Sequence, residues 1–167
     1  MDRGLSSKIV WVLAAEEAMA SHFEFIEIPH IFIAILKFAE MNSNDLGPHA
    51  RDRHSKRFFA EEQEATQDLL DKHHIVAPED STSIRRALRA RIGQSDFKAG
   101  IGWTIHRSGA SRRIAKAAEQ IARDADSRLV KASHVLEAVF DTPSRTMIRV
   151  LEDAGAIAGP IDDDTLI

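Results

Sequence analysis

The sequence contains no cysteine and no tyrosine among its 167 residues. Without cysteine the chain can form neither a disulfide framework nor a thiolate metal site, and this absence is typical of cytosolic proteins. Few β-branched residues stand in the alternating pattern that marks a strand. Apolar residues recur instead at helical spacing, so the sequence predicts an all-α fold.

A basic excess is also missing, because the formal net charge is -4. Proteins that bind nucleic acid usually carry a basic balance, so we expect no nucleic-acid partner. No basic region followed by an apolar core comes after Met1, which argues against a secretory signal. The longest apolar run, Ile31 to Leu36, is broken by Lys37 and is too short to span a bilayer. We therefore expect a cytoplasmic protein with no membrane partner.

The sequence has no phosphate-binding loop of the form Gly-x-x-x-x-Gly-Lys-Ser/Thr, and none of its glycines is followed by lysine. The fragment Gly100-Ile101-Gly102 is too short to serve instead. We expect no ATP hydrolysis, no cofactor and no catalytic residues.

Apolar periodicity and helix-terminal residues predict seven helices. They run from Ser6 to His22, from Pro29 to about Met41, from Phe58 to His73, from a cap at Asp80, Ser81 or Ser83 to Ile92, from a cap at Ser108 to about Asp126, from Ser133 to Phe140, and from Pro143 to Gly155. Gly93 is predicted to end the fourth helix. Residues 42–57 read as a loop or partly disordered insertion, and the tail from Pro160 as a short helical turn or a frayed end.

Two segments, Ile9 to Leu36 and Arg113 to Phe140, align without a gap. The matching positions are Val10 with Ile114, Ala14 with Ala118, Ala18 with Ala122, Ile26 with Val130, and His30 with His134. Such agreement indicates a duplicated four-helix unit. We assign residues 1–93 to the first repeat, with an insertion at about 42–57, residues 94–107 to a linker and 108–167 to the second repeat. One repeat alone buries too little apolar surface, so the two should share a core in a monomer.

A long helix, a connector and the pattern His-Ile/Val-x-x-Ala-Ile/Val occur twice, beginning at His30 and His134. This arrangement resembles the double Clp N-terminal repeat of the ClpA, ClpB, ClpC and ClpV AAA+ unfoldases. Thr104 to Ser108 and Ser133 to Leu136 are similar to the ClpC-type second repeat. The resemblance implies an eight-helix, pseudo-twofold domain. Such a domain docks protein substrates, adaptors or regulators, and ATP hydrolysis belongs to AAA+ modules that this sequence does not contain.

The resemblance also implies a peptide site in the groove between the repeats, near the first helix start. The candidate residues are Gly4, Leu5, Ser6, Pro29, Trp103, Ser108 and Ser133. Ser108 keeps a helix-capping hydroxyl that the family often has as Thr, whereas Gly4 holds the equivalent position in the first repeat. ClpC-type domains place a Glu that helps to bind phosphoarginine just before the repeat His. Pro29 and Ser133 occupy those positions here, and neither can form an ion pair.

A second hypothesis is a small hydrolase or metal enzyme that uses His30 and His134. No Asp, Ser or Cys recurs at a fixed offset from them, so we favour buried structural histidines bonded to the backbone. His73 and His74, with His49 and His54, raise the question of metal binding. Adjacent histidines on a helix point in different directions, and we expect no metal site.

The third hypothesis is a nucleic-acid-binding regulator with two basic patches. The first patch comprises Arg85, Arg86, Arg89 and Arg91, and the second Arg51, Arg53, Lys56 and Arg57. Acidic residues lie beside both patches, which favours solvated faces. A protein-interaction module, acting as a free adaptor, as a decoy or as part of a larger Clp protein, remains the leading hypothesis.

Overall fold

The structure, a computed structural model, describes residues 1–45 and 53–160. These residues form seven α-helices and four two-residue strands, so the prediction of an all-α fold is confirmed. The helices are α1 (Leu5–Ala20), α2 (Ile28–Glu40), α3 (Arg53–Lys72), α4 (Pro78–Ile92), α5 (Gly109–Asp124), α6 (Ala132–Asp141) and α7 (Arg145–Asp153). The strands are β1 (Asp2–Arg3), β2 (Phe25–Ile26), β3 (His106–Arg107) and β4 (Leu129–Val130). The tail predicted to begin at Pro160 lies almost wholly outside the described residues.

Two helix starts differ from their predicted positions by more than two residues, and α7 begins at Arg145, after its Ser144 cap, and not at Pro143. Helix α3 begins at Arg53 and not at Phe58, so the last residues of the predicted 42–57 loop are helical. Residues 46–52 of that predicted insertion lie outside the described residues. Helix α4 begins at Pro78, whose fixed φ suits a first helical position. Asp80 is therefore not the N-cap but the third helical residue, and its carboxylate accepts a hydrogen bond from the Ala77 N–H at 3.1 Å.

The strands join the two halves of the chain in a crossed arrangement. Strand β1 pairs in parallel with β4, and β2 pairs in parallel with β3. The Gly4 N–H continues the first pair by donating to the Val130 carbonyl at 2.8 Å. The Ser108 N–H continues the second by donating to the Ile26 carbonyl at 3.1 Å. The start of each half is thus held by the connector of the other half.

The core is built around α2 and α6. Helix α2 buries nearly every residue from Ile28 to Phe38, as expected for a helix that is apolar all round. The rings of Phe32 and Phe140 meet edge to face at 5.6 Å between centroids, which links α2 to α6. Helix α1 packs mainly on α2, and α5 packs mainly on α6. None of the helices within residues 1–45 and 53–160 combines the length and apolar character needed to cross a bilayer.

The buried carboxylate of Glu17 ties three helices together. Its Oε1 and Oε2 accept hydrogen bonds from the Arg89 guanidinium at 2.8 and 3.0 Å, and Lys37 forms an ion pair with Oε1. Burial alone would raise the pKa of Glu17, but the hydrogen bonds from Arg89 and Lys37 outweigh it and lower this pKa to about 2. The ionised carboxylate therefore joins α1 to α2 and α4.

A second buried carboxylate, that of Glu62 on α3, reaches both halves of the chain. Its Oε2 accepts a hydrogen bond from the Ser6 hydroxyl at 2.9 Å, and its Oε1 lies 2.9 Å from the Lys131 ammonium. The Ser6 hydroxyl in turn accepts the Ala132 N–H at 3.0 Å. This network fixes the start of α1 against the start of α6.

We predict that Glu17→Gln lowers the free energy of unfolding at neutral pH by about 2 kcal/mol, after allowance for solvent screening of the partly exposed Lys37 and Arg89. Because the folded-state pKa is depressed, this contribution is fully present above the unfolded pKa of 4.5 and declines as pH falls towards 2. Urea unfolding of both proteins should show a stability difference that shrinks between about pH 5 and about pH 3. The control is Glu61→Gln, which removes an exposed ion pair with Arg57 and should change stability little. A difference that stays constant over this pH range would contradict the assignment to Glu17.

Candidate functional site

Helix α1 carries apolar residues on two faces. One face is buried in the core and includes Val10, Ala14 and Ala18. The other faces outward, and there Val12 is 58% exposed. A surface helix of a globular protein normally has a single apolar stripe. The second stripe on α1 therefore marks a candidate interaction surface.

The outward stripe borders a surface cavity of about 380 Å³ between α1 and the end of α2. We call this the apolar groove. Its lining residues are Leu5, Lys8, Ile9, Val12, Leu13, Glu16, Met41 and Asp45. Five of these eight side chains are apolar, so the groove suits aliphatic or aromatic side chains of a ligand.

A second cavity of about 490 Å³ lies on the adjoining side of α1. We call this the basic groove. Its lining residues are Arg3, Lys8, Trp11, Val12, Ala15, Ile26, Thr104, Ile105, His106 and Arg107. Lys8 and Val12 line both cavities, so the two grooves form one continuous surface along α1.

Two guanidinium groups lie close to the indole of Trp11 in the basic groove. The Cζ of Arg107 is 5.0 Å from the Trp11 ring centroid, and the Cζ of Arg3 is 5.8 Å from it. Both distances are within cation–π range. Burial, followed by repulsion from Arg3 and Arg112, lowers the pKa of Arg107. The groove thus concentrates positive charge around a largely buried aromatic ring.

The crossed strands bring these charges together. Arg3 ends β1 and Arg107 ends β3, and each strand immediately precedes one of the equivalent helices α1 and α5. Among the described residues no ion pair involves Arg3, Lys8 or Arg107. The cationic side chains of the groove are therefore available to an anionic ligand.

The candidates predicted at the start of α1 have different roles. Leu5 lines the apolar groove. Gly4 is the buried N-cap, where a Cβ would lie 3.1 Å from the Val130 carbonyl oxygen. Ser6 is 2% exposed and is fully used by the Glu62 network. Gly4 and Ser6 therefore support the site without being accessible to a ligand.

The other predicted binding residues do not join Leu5 in a groove. Pro29 is buried in the first turn of α2, and Ser133 is half-buried in the first turn of α6. Trp103 is half-buried and packs on Phe97 with 4.7 Å between ring centroids. Ser108 caps α5 as predicted, since its Oγ accepts the Ser111 N–H at 3.1 Å. Trp103 and Ser108 are nevertheless the sequence neighbours of the segment 104–107 that lines the basic groove.

His30 and His134 occupy the third positions of α2 and α6 and bond to the backbone in the same way. The Nδ1 of His30 accepts the Glu27 N–H at 3.0 Å, and the Nδ1 of His134 accepts the Lys131 N–H at 3.1 Å. Nδ1 is thereby the acceptor, so the proton of each neutral ring belongs on Nε2. Burial lowers the pKa of both rings, that of His30 to about 4. Neutral, buried rings bonded to the helix start stabilise the fold.

The remaining histidines do not converge. His73 is buried, stacks on Phe140 at 3.4 Å between ring centroids, and places Nδ1 2.9 Å from the Ile157 carbonyl oxygen. His74 and His54 are exposed, and His49 lies outside the described residues. Within the part of the chain that the structure describes, no group of three His, Asp or Glu side chains could hold a metal ion.

Most arginines of the first predicted basic patch are paired with acids. Arg85 contacts Glu40 at 2.7 Å, Arg89 contacts Glu17, and Arg91 contacts Asp153 at 2.7 Å. In the second patch Arg57 pairs with Glu61, while Arg53 and Lys56 are exposed and Arg51 lies outside the described residues. The first patch is therefore largely neutralised.

Sequence reasoning missed the groove residues Arg3, Lys8 and Arg107. A signal was present, because the ungapped alignment, when it is extended towards the N-terminal side of both segments, places Arg3 opposite Arg107. The alignment alone could not show that the crossed strands bring the two equivalent arginines to one aromatic ring.

Neither the protein-family models nor the curated proteins include a match to this sequence. We therefore infer function from the two grooves and from the resemblance described above.

We predict that His30 makes stability fall as pH is lowered. Its folded-state pKa of about 4 is below the unfolded value of 6.5, so the unfolded chain binds the proton first. The free energy of unfolding should decrease by about 3 kcal/mol between these two pH values through this group. NMR titration should show an Nε2-protonated neutral ring down to about pH 4. The control is His54→Gln, which replaces an exposed side chain and should change the free energy of unfolding little. A His30 ring that titrates near its usual pKa would contradict this assignment.

Proposed function

We propose that this chain is a protein-interaction module similar to the N-terminal docking domain of Clp-type AAA+ unfoldases. In this proposal it consists of two pseudo-twofold-related four-helix repeats and binds protein substrates or adaptors, or a Clp unfoldase itself. The binding surface is the outward face of α1, with its apolar and basic grooves. The module takes part in chaperone or proteolysis regulation in the cytoplasm, and acts by binding rather than by catalysis.

The observation that carries the proposal is the difference between the outward faces of α1 and α5. Both helices have 16 residues and follow equivalent strands. Where α1 has Ile9 and Val12, the aligned positions of α5 have Arg113 and Lys116. The fold therefore does not require apolar residues on this face. Ile9 packs partly against the core, whereas the exposed Val12 is best explained by a partner that covers it.

The repeat interpretation is supported by equivalent local structure in the two halves. One constant shift in residue number relates β1 and β2 to β3 and β4, and His30 to His134. The same shift relates the left-handed residues His22 and Asp126, which end the turns after α1 and α5. This agreement fits a duplicated unit like that of the Clp family.

The helix ends in the second part of each half also correspond. The Ile75 N–H donates to the Leu70 carbonyl at 3.0 Å, and the Ala156 N–H donates to the Leu151 carbonyl at 2.8 Å. The difference in residue number between these two hydrogen-bonded pairs is smaller than the difference that relates His30 to His134. The first half is therefore longer between α2 and the end of α3, where the insertion was predicted.

We predict that Val12→Asp abolishes partner binding without unfolding the chain. Val12 is 58% exposed, so the carboxylate reaches water in the free protein but would be buried without a counter-ion in a complex. The matched control is Val76→Asp, because Val76 is 63% exposed and lines neither groove. The measurement is affinity capture from the native cytosol with quantitative mass spectrometry. Thermal unfolding of the three proteins serves as the folding control.

The expected result is that a Clp unfoldase, its adaptor or a defined set of clients binds to the wild type and to Val76→Asp. The same proteins should be lost with Val12→Asp. Equal capture by both variants would remove α1 as the binding surface. If no Clp-related protein is captured by the wild type, the proposed role in the Clp system is wrong.

A further inference from the structure

We propose that the basic groove binds an acidic segment of the protein partner and that the apolar groove holds apolar side chains of the same segment. The inference rests on the proposed function and deepens it by stating the chemistry of the ligand. The ligand is a peptide segment that has carboxylates at one end, for the basic groove, and aliphatic or aromatic side chains at the other end, for the apolar groove.

Charge complementarity is the first argument for an acidic ligand. The groove lining has Arg3, Lys8 and Arg107 and no Asp or Glu. This positive cluster lies on a chain whose formal net charge is -4. Elsewhere in the described residues the buried or half-buried cations Lys37, Arg85 and Lys131 do pair with acids. An unpaired cluster of one sign attracts and orients a ligand of the opposite sign.

The second argument is the apolar floor beneath these charges. Trp11, Val12, Ala15, Ile26 and Ile105 make up half of the ten lining residues. The phosphate backbone of a nucleic acid gains little binding energy from contact with apolar side chains. A peptide, in contrast, can place carboxylates on Arg3 and Arg107 and an apolar side chain on the neighbouring Val12 and Ile105. Tryptophan and arginine are also the residue types that dominate protein-binding sites.

The third argument is that the aromatic floor exists in only one half of the chain. The residue of α5 that aligns with Trp11 is Ala115, whereas Lys8 aligns with another cation, Arg112. The fold therefore tolerates a small residue at this position. Trp11 adds an aromatic surface at the place where Arg3 and Arg107 meet.

Continuity of the two grooves gives the order of contacts along the peptide. Lys8 and Val12 belong to both linings, so a single peptide can pass from one groove to the other. The basic end lies near Arg3 and Arg107, and the apolar end lies near Leu13 and Met41. An acidic stretch followed or preceded by apolar residues fits this arrangement.

Trp11 allows binding to be observed at the site itself. The chain has only two tryptophans, so Trp103→Phe leaves Trp11 as the single one. The probe is a fluorescein-labelled peptide, Glu-Asp-Glu-Leu-Leu-Phe, with the acidic residues at one end and the apolar residues at the other. The neutral control peptide is Gln-Asn-Gln-Leu-Leu-Phe, which keeps the apolar side chains and removes the charge. Fluorescence anisotropy measures affinity, and the Trp11 emission with unlabelled peptide reports contact with the basic groove.

The test variant combines Arg3→Gln with Arg107→Gln in this background. The matched control combines Arg145→Gln with Arg149→Gln, which removes the same charge from a different cavity formed by α4 and α7. Thermal unfolding checks that both variants fold. We expect the test variant to bind the acidic peptide about tenfold more weakly, and the control variant to bind it like the parent protein. The neutral peptide should bind the parent protein weakly, and only the acidic peptide should change the Trp11 emission.

Three results would overturn the inference. If both double variants bind the acidic peptide equally more weakly than the parent protein, the peptide is attracted by overall positive charge and not by a specific site. If the parent protein binds the neutral peptide as tightly as the acidic peptide, carboxylates do not contribute to binding. Stronger binding of a single-stranded oligonucleotide that displaces the peptide would make the groove a polyanion site.

Failure of this inference can be told apart from failure of the proposed function. If Val12→Asp loses the captured partner while the Arg3 and Arg107 variant keeps it, α1 is a docking surface whose ligand is not acidic. If Val12→Asp keeps the partner, the docking surface on α1 is wrong. The peptide titration then decides by itself whether the basic groove binds carboxylates.

Discussion

The crossed pairing of the short strands is the constraint on which the rest of the structure depends. Each pair has only two residues per strand. One pair joins the segment before α1 to the connector before α6, and the other joins the segment before α5 to the connector before α2. A two-stranded pair of this length has little stability by itself. It persists because α1 and α5 pack on α2 and α6, whose starts adjoin the same connectors. Strand pairing and helix packing therefore stabilise each other, and they fix α1 in the position that creates both grooves.

Buried polar groups fix the orientation of the helices relative to one another, which apolar packing alone does not determine. Apolar contacts between helices tolerate sliding and rotation, whereas a buried carboxylate must meet its donors or remain uncompensated at high energetic cost. Glu17 fixes α1 relative to α2 and α4, and Glu62 fixes it relative to α3 and α6. With α1 held from both sides, its outward face can diverge in sequence without loss of position.

The helices could be predicted from the sequence because their signals are local. Apolar spacing, Gly93 and Ser108 mark elements whose ends need no knowledge of the partner helices. The start of α4 was predicted too late in the sequence, because Pro78, two residues before the predicted cap Asp80, is also suited to the first position of a helix. The strands could not be predicted, because two residues carry no alternation and their partners are distant in sequence. For the same reason only Leu5, and none of the groove cations, was among the predicted binding residues.

In the proposed duplication, each half can change residues that the other half shows to be dispensable for the fold. The aligned positions of α5 have charged residues and Ala115, so this scaffold does not need large apolar residues there. On α1 the aligned positions have the partly buried Ile9, the buried Trp11 and the exposed Val12, and exposed apolar surface favours aggregation in water. Neighbouring cations reduce that risk, since a charged surface keeps chains apart until an oppositely charged partner arrives. The apolar residues of α1 and the cations Arg3, Lys8 and Arg107 line one continuous surface, and in the proposed function they act together in binding a partner.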